Sequence, residues 1–361
     1  MSADPGIEIL GTGQREAWRL NRLPPVERLA GGLWSVPVPI PDNPLRYTLS
    51  YLVPADEGLV VVDPGWDTEE GWAALAEGLA AAGASTGDVA GIVATHVHPD
   101  HHGLSARLRA ESGAWIAMHP AERDTLPHRA ERGHGDPLAE VAGWLRSCGA
   151  SEEEAAELGG ALQRAPRPSA EMAEPDVLLE DGDLVPVHGR RLRAVWTPGH
   201  TPGHLCLQEP DAQVLLTGDH VLPRITPAIG ARPGAGEPPL AQFLDSLDRT
   251  AGFDDHDAFP AHEYRFRGLT ARSKQLREHH DRRCMEILAV ISEFGQPTPW
   301  DVATHLTWSR PWPEIGWMRL SAVSETVAHL EYLAGQGFLT WHKPEPAGPA
   351  RVLRTDHGSK K

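Results

Sequence analysis

The run Thr95–Gly103, THVHPDHHG, constrains the fold more than any other segment of the chain. It delivers His96, His98, Asp100 and His101 within six residues, directly after the apolar stretch Val89–Ala94. That spacing does not line one face of a helix, where neighbours recur every three or four residues. Pro99 and Asp100 favour turn geometry, so a tight loop at a strand end is expected. Such a loop sends His96 and His98 to one side and Asp100 with His101 to another. Imidazole and carboxylate donors suit zinc, and imidazole also accepts iron or manganese. Taken alone, the run also reads as a solvated histidine-rich loop.

Three later segments change that balance. TPGHTPGH (Thr197–His204), LLTGDH (Leu215–His220) and FPAHE (Phe259–Glu263) each follow a strand-like run and each place His or Asp at its end. Four such loops can converge on one edge of a layered domain. Strands are expected at Leu33–Val38, Tyr47–Val53, Leu59–Asp63, Val89–Ala94 and Trp115–Met118, and helices at Glu69–Ala82 and Leu104–Glu111, an alternation that fits a layered α/β domain. Between about Ala121 and Ala165 the apolar residues recur at helical spacing, which reads as a helical insertion. Strands resume at Val177–Leu179, Leu184–Val187, Leu192–Trp196, Leu205–Gln208 and Val214–Thr217, then a helix near Leu240–Thr250. The second half echoes the first in order of elements, not in residues. Past His262 a long polar helix, Thr270–Glu293, leads into a compact tail from about Cys284 to Trp341. That tail holds Trp300, Trp308, Trp312, Trp317 and Trp341, and three helices with a short hairpin would make it winged-helix-like.

The ordered series HxHxDH, GH, GD and a final His, over roughly Leu33–Glu263, resembles the metallo-β-lactamase superfamily. The resemblance implies an α/β fold, the αβ/βα sandwich, here with a helical insertion and a small C-terminal winged-helix-like domain. It further implies that His96, His98 and His200 bind one metal ion, that Asp100, His101 and His262 bind a second, and that Asp219 bridges them. Two divalent ions, zinc in first place with iron or manganese as alternatives, would then be the cofactors. A hydroxide bridging two cations about 3.5 to 4 Å apart would serve as nucleophile, with Asp100 placed to accept its hydrogen bond and move its proton. VVDPG (Val61–Gly65) resembles the family's strand-end Asp, so Asp63 either orients a ligating imidazole or is a turn residue before Pro64. His102 and His119 read as surface or capping residues, His204 and His220 as hydrogen-bonding ones, and His279 with His280 as solvated.

The expected organisation is an N-terminal extension (1–30), a catalytic domain (31–268, insertion about 121–165), a linker helix with the winged-helix-like domain (269–345) and a flexible tail (346–361). With 361 residues, two domains are expected, and 40% apolar and 23% charged residues describe an ordinary globular chain. The formal charge of −17 opposes nonspecific capture of a phosphate backbone, leaving room for a local basic groove. Cys148, Cys206 and Cys284 are too scattered for a disulfide framework and read as structural thiols. The N-terminus lacks a signal-peptide core and no segment has the 18 to 20 apolar residues of a membrane span, so a cytoplasmic protein without membrane partner is expected.

The superfamily's core does not choose the reaction, so the substrate must be read from what surrounds it. The favoured substrate is a small ester, thioester or lactone with an apolar acyl part. One alternative is a metal-dependent endoribonuclease, in which Arg190, Arg191, Arg193, Arg265, Arg267, Arg272, Arg277, Arg282 and Arg283 would contact phosphate. Against it, the expected recognition helix Trp317–Gly335 carries one base, Arg319, beside Glu325 and Glu331. A noncatalytic metal-binding protein is the third reading, opposed by the complete ligand set. Composition sets no oligomeric state.

Overall fold

The computed structural model describes residues 6–126, 137–164, 172–231, 237–342 and 348–355. Outside these lie residues 1–5 of the expected N-terminal extension, 127–136 and 165 of the expected insertion, 166–171 and 232–236 elsewhere in the expected catalytic domain, 343–345 of the expected winged-helix-like domain, and 346–347 and 356–361 of the expected tail. The chain forms two compact units. The first comprises Met1–Ala130, Arg167–Pro227 and Asp245–Lys274, and the second comprises Glu131–Pro166, Ala228–Leu244 and Gln275–Lys361.

In chain order the described elements begin with β1 (Glu8–Ile9), α1 (Thr12–Arg19), β2 (Glu27–Arg28), β3 (Trp34–Pro39), β4 (Tyr47–Ala55) and β5 (Gly58–Val62). Next come α2 (Glu69–Ala81), β6 (Val89–Val93), α3 (Pro99–His102), α4 (Ser105–Ser112), β7 (Trp115–Met118) and α5 (Pro120–Asp124). Helices α6 (Pro137–Ser147) and α7 (Glu152–Arg164) precede β8 (Val177–Leu178), β9 (Arg193–Trp196), β10 (Leu205–Glu209), β11 (Val214–Gly218), α8 (Pro239–Ala251), β12 (Asp257–Pro260) and β13 (Phe266–Arg267). The C-terminal part holds α9 (Leu269–Phe294), α10 (Pro299–His305), α11 (Arg319–Gly335), β14 (Leu339–His342) and β15 (Arg351–Arg354).

Two sheets build the first unit, one in the order β2-β3-β4-β5-β6-β7-β8 and the other β1-β13-β12-β11-β10-β9. Strands β5, β6, β7 and β8 run parallel, so each step between them needs a crossover, and the helices α2 and α4 supply two of these. Alternation along β4 explains the layering. Leu49, Tyr51 and Val53 pack with Leu205, Leu207, Leu216 and Phe259 of the other sheet, Tyr51 stacking on Phe259 at 5.4 Å. Leu52 faces the opposite way, with Val36, Val61, Leu75, Leu79, Leu104 and Leu108, which puts helices α2 and α4 on the outer face. Both central strands β4 and β5 are buried almost throughout, as the unbroken apolar run LVVV demands of a strand covered on both sides. Helix α2 starts where Thr68 accepts a hydrogen bond from Gly71 N at 2.9 Å, with Glu69 and Glu70 in its first turn. These features make the α/β sandwich with helices outside and sheets within.

Most expected strands and helices form within a residue or two of their expected ends. Two expectations fail. Leu184–Val187 forms only an isolated bridge between Leu184 and Arg193 at the start of β9, because the chain turns at once, Val187 N donating back to Val185 O at 2.8 Å, and the pairing goes no further. The second half of the histidine run is one helical turn, α3, rather than an irregular loop. Pro99 occupies the first helical position, where its missing N–H costs nothing and its fixed φ suits a helix.

In the second unit, Leu145, Ala155 and Leu158 of α6 and α7 pack with Trp300, Ala303, Val323 and Val327 of α10 and α11. Trp300 meets Trp312 edge to face at 5.4 Å. Trp308 and Trp341 border a second cluster around Ile287, Val302, Leu330 and Leu339, whereas Trp317 is exposed. All three cysteines are buried and free.

One feature of this unit runs against expectation, since His280 is buried rather than solvated. Its Nδ1 lies 3.0 Å from His329 Nε2, and His329 Nδ1 donates to Glu325 O at 2.8 Å. Burial, aided by His329, His279, Arg283 and Arg277, holds His280 down to about 2, and burial holds His329 down to about 4. Both folded values lie below the unfolded value near 6.5, so the unfolded chain binds more protons in acid. Stability is therefore whole above pH 6.5 and falls as pH drops from 6.5 toward 4, at about 1.4 kcal/mol per pH unit for each histidine. Urea midpoints at pH 7 and 5 should show this drop, and His280→Leu should reduce it by the His280 share, leaving that of His329. An identical drop in that variant would refute the account.

Candidate metal centre

The strand ends of the first unit bring all seven expected side chains together. Three groups of donor atoms, each with members within 4.8 Å of one another, are formed by His96, His98 and His200, by His96, His101 and Asp219, and by Asp100, His101 and His262. The middle group links the outer two through His96 and His101. Asp219 faces both sides, with Oδ1 at 3.1 Å from His262 Nε2 and 3.6 Å from His101 Nε2, and Oδ2 at 3.7 Å from His200 Nε2. Asp100 Oδ2 lies 3.4 Å from His262 Nε2 and 3.6 Å from His101 Nε2. His98 Nδ1 sits 2.9 Å from His96 Nε2 and 3.2 Å from His200 Nε2.

Three of the imidazoles, His101, His262 and His96, are turned toward the cluster by the partner of the other ring nitrogen. His101 Nδ1 lies 2.8 Å from Asp63 Oδ2, and His262 Nδ1 donates to the Tyr47 carbonyl at 2.9 Å. His96 Nδ1 meets Thr95 Oγ1 at 3.1 Å. Asp63 also accepts from Thr95 N at 2.7 Å and Thr95 Oγ1 at 2.8 Å. Between its two readings, then, Asp63 takes the orienting one. The Asp100 backbone is held as well, its carbonyl accepting from Thr48 Oγ1 at 2.8 Å.

His204 positions Asp219 from behind. Its Nε2 accepts from Asp219 N at 3.1 Å while Nδ1 meets Thr197 Oγ1 at 2.9 Å. Gly218, at φ 50°, permits this approach, because a Cβ there would stand 2.6 Å from His204 Nε2. His119 caps α5 by accepting from Ala121 N at 3.1 Å, the capping role expected. His102 departs from expectation. It is buried and bonds the Ala173 carbonyl at 2.8 Å, because the turn of α3 points it into the outer core instead of to solvent. Thr95 and the Tyr47 carbonyl carry no sequence signal of their own, since one is a hydroxyl among many and the other is backbone.

Burial opposes charge throughout the cluster, yet its members polarise one another. Asp100 is buried, but His101 and His262 hold its carboxyl down at about 2, and the same two imidazoles hold Asp219 well below the carboxylate range. Against their own burial, His101 is raised well above the usual imidazole value by Asp100, Asp63 and Asp219, and His262 to about 10 by Asp219 and Asp100. His96 moves the other way, pushed well below the usual value by burial and by its histidine neighbours. The result is two charged carboxylates among convergent imidazole nitrogens. His101 Nε2, Asp219 Oδ1 and His262 Nε2 are buried without a hydrogen bond of acceptable geometry, which a folded chain does not leave unanswered without cause. Divalent cations fit this donor set, because nitrogen and carboxylate oxygen atoms converge and their outer atoms are already fixed. His98 and His200 are the partly exposed members, so the cluster opens to solvent on their side.

A two-sheet α/β sandwich with a histidine and aspartate cluster at its strand ends defines a fold class built to hold divalent metal. The metallo-β-lactamase superfamily model matches residues 43–262, and the chain belongs to that superfamily. A metallo-β-lactamase family protein from Thermus thermophilus is similar at 32% identity, over 90% of this chain and 99% of its own, with a TM-score of 0.73. Among curated relatives, a lactamase-like protein of Neosartorya fischeri is 32% identical over 116 residues, 31% of this chain and 32% of its own length. A human acyl-coenzyme A thioesterase is 32% identical over 129 residues, 36% of this chain and 40% of its own. The chain thus spans only about a third of the length of the first curated relatives it matches.

Proposed function

We propose that the protein is a metal-dependent hydrolase with two ions, acting on a small ester, thioester or lactone. The observation that carries this reading is the convergence of seven donor residues into two triads joined by Asp219. His96, His98 and His200 would hold one ion, Asp100, His101 and His262 the other, with zinc the metal that this nitrogen-rich set suits best. Bound divalent ions supply a water acidified toward neutrality and an electrophilic pull on a substrate carbonyl oxygen. The chain's own contribution is placement. Asp63, Thr95 and the Tyr47 carbonyl fix the His101, His96 and His262 rings, and Asp100, held in its charged form, is placed to accept a hydrogen bond from the attacking water and help pass its proton on.

The substrate class is supported by the thioesterase relative and by the fate of the basic residues. Arg190, Arg191, Arg193, Arg265, Arg267, Arg272, Arg277 and Arg283 all donate to carbonyls or carboxylates of the protein itself, so an RNA backbone would have to compete for them. No described helix is long and apolar enough to cross a membrane. The order α9, α10, α11 and the β14–β15 pair supports a winged-helix-like reading of the C-terminal part, and the packing of Trp300 and Trp312 within it supports a structural role for those rings.

The test is metal analysis followed by a panel of acyl thioesters, lactones, a phosphodiester and single-stranded RNA. Thioester or lactone turnover is expected, lost on chelation and restored by zinc. Cleavage of RNA alone, or thioester turnover indifferent to a chelator, would overturn the proposal.

A further inference from the structure

We propose that Glu122 is a positioning residue that sets the spacing between the two loops carrying His96, His98 and His200, and thereby the affinity of one metal position only. This inference rests on the two-triad reading above. Glu122 is fully buried and lies on α5, just beyond the parallel strand β7. Each of its carboxylate oxygens is committed to a different loop. Oε2 accepts from Val97 N at 2.8 Å, and Oε1 accepts from Gly203 N at 2.7 Å. Val97 sits between His96 and His98, and Gly203 lies three residues past His200 and one before His204. One carboxylate thus ties together loops whose side chains must meet at the first triad, though they are about a hundred residues apart in sequence.

The surroundings are built for this contact. His119 caps the start of α5 and stacks on Trp196, with rings 5.2 Å apart and 3° from parallel. Trp196 Nε1 in turn donates to Pro202 O at 3.0 Å, so the second loop is held at Pro202 as well as at Gly203. The Val97 side chain packs with Leu126 and Met172, which pins the first loop. Gly203 leaves no spare room, since a Cβ there would stand 2.6 Å from Glu122 N, 2.8 Å from His119 Nδ1 and 2.9 Å from Glu122 Cγ. Charged acceptors form the stronger class of hydrogen bond, and a buried N–H stripped of its acceptor is costly. The two imidazoles of the second triad have anchors of their own. His101 is held by Asp63, and His262 by the Tyr47 carbonyl.

The prediction is therefore selective. Zinc affinity is measured by chelator competition on the full chain for the unsubstituted protein, Glu122→Gln, Gly203→Ala, and Glu209→Gln. Glu209 is another fully buried carboxylate, at the far end of β10, where it accepts from Ala212 N. In Glu122→Gln the amide can no longer accept from both loops, and in Gly203→Ala the loop is pushed off an intact carboxylate. Both should weaken one of two zinc ions about 10- to 100-fold, the range for loss of a ligand-orienting contact. The other ion should keep its affinity, and the weakened ion should be the one that His98→Ala also removes. Glu209→Gln should leave both ions unchanged. Unchanged affinities in the Glu122 and Gly203 variants, or equal weakening of both ions, would overturn the inference. An unsubstituted protein that takes up no zinc would instead sink the reading of the centre itself.

Discussion

Replacing Asp219 with alanine should lower turnover of a thioester or lactone substrate at least a thousandfold, about 4 kcal/mol of lost barrier reduction. No other described carboxylate faces both triads. Its Oδ1 approaches His101 and His262, and its Oδ2 approaches His200. Its removal would leave the raised imidazoles His101 and His262 with Asp100 and Asp63 as counter-charges, and would take from the first triad the carboxylate oxygen 3.7 Å from His200 Nε2. Metal content should fall together with activity, while the fold survives, because Asp219 lies at a strand end and the inter-sheet core does not depend on it. His98→Ala should behave alike. Inductively coupled plasma analysis and steady-state kinetics read both quantities, and an Asp219→Ala protein that keeps two ions and full turnover would remove the residue from its assigned place.

Asp63→Asn should weaken metal binding about 10- to 100-fold and lower stability by roughly 1 to 3 kcal/mol. Asp63 is buried and sits at φ 53°, a conformation that asparagine tolerates well, so the substitution changes chemistry without adding backbone strain. The carboxylate accepts from Thr95 N and Thr95 Oγ1 and faces His101 Nδ1. An amide has one acceptor oxygen, so a nitrogen must replace an acceptor for either the hydroxyl or the imidazole. If it faces His101, the ring is driven to the tautomer with hydrogen on Nε2, the atom that should present a lone pair to the cation. Asp63→Ala should do worse, because alanine also pays for the left-handed backbone. Chelator competition and thermal unfolding report the two effects separately, and a full-affinity Asp63→Asn protein would return this residue to the role of a simple turn.

Much of this architecture is legible in the one-dimensional order of residues. Apolar runs such as Leu59–Val62 and Ile92–Ala94 declare buried strands, and Glu69–Ala81 declares its helix through Thr68 and two acids. The seven donors are legible too, because each stands immediately after such a run, and a strand end aims its loop at the edge of the sheet. The same local logic misread Leu184–Val187, whose pairing with β9 stops after one bridge, and His102 and His280, which read as a surface or capping residue and a solvated one. Burial of a histidine depends on which way a helical turn faces its core, and that is a property of packing.

The contacts that make the cluster work as a unit came only with the tertiary structure. Asp63 reaches His101 across 38 positions, Tyr47 receives His262 across 215, and Glu122 joins loops 25 and 81 positions away. No period of two or 3.6 residues encodes such distances, since each depends on two sheets closing against one another before the atoms meet. The histidine run at Thr95–Gly103 thus determined by itself that the chain would offer clustered donors at a strand end. Which nitrogen each ring presents, what holds it there, and how the two triads share Asp219 were decided by the closed sandwich, because hydrogen-bond geometry exists only once distant segments are brought within about 3 Å.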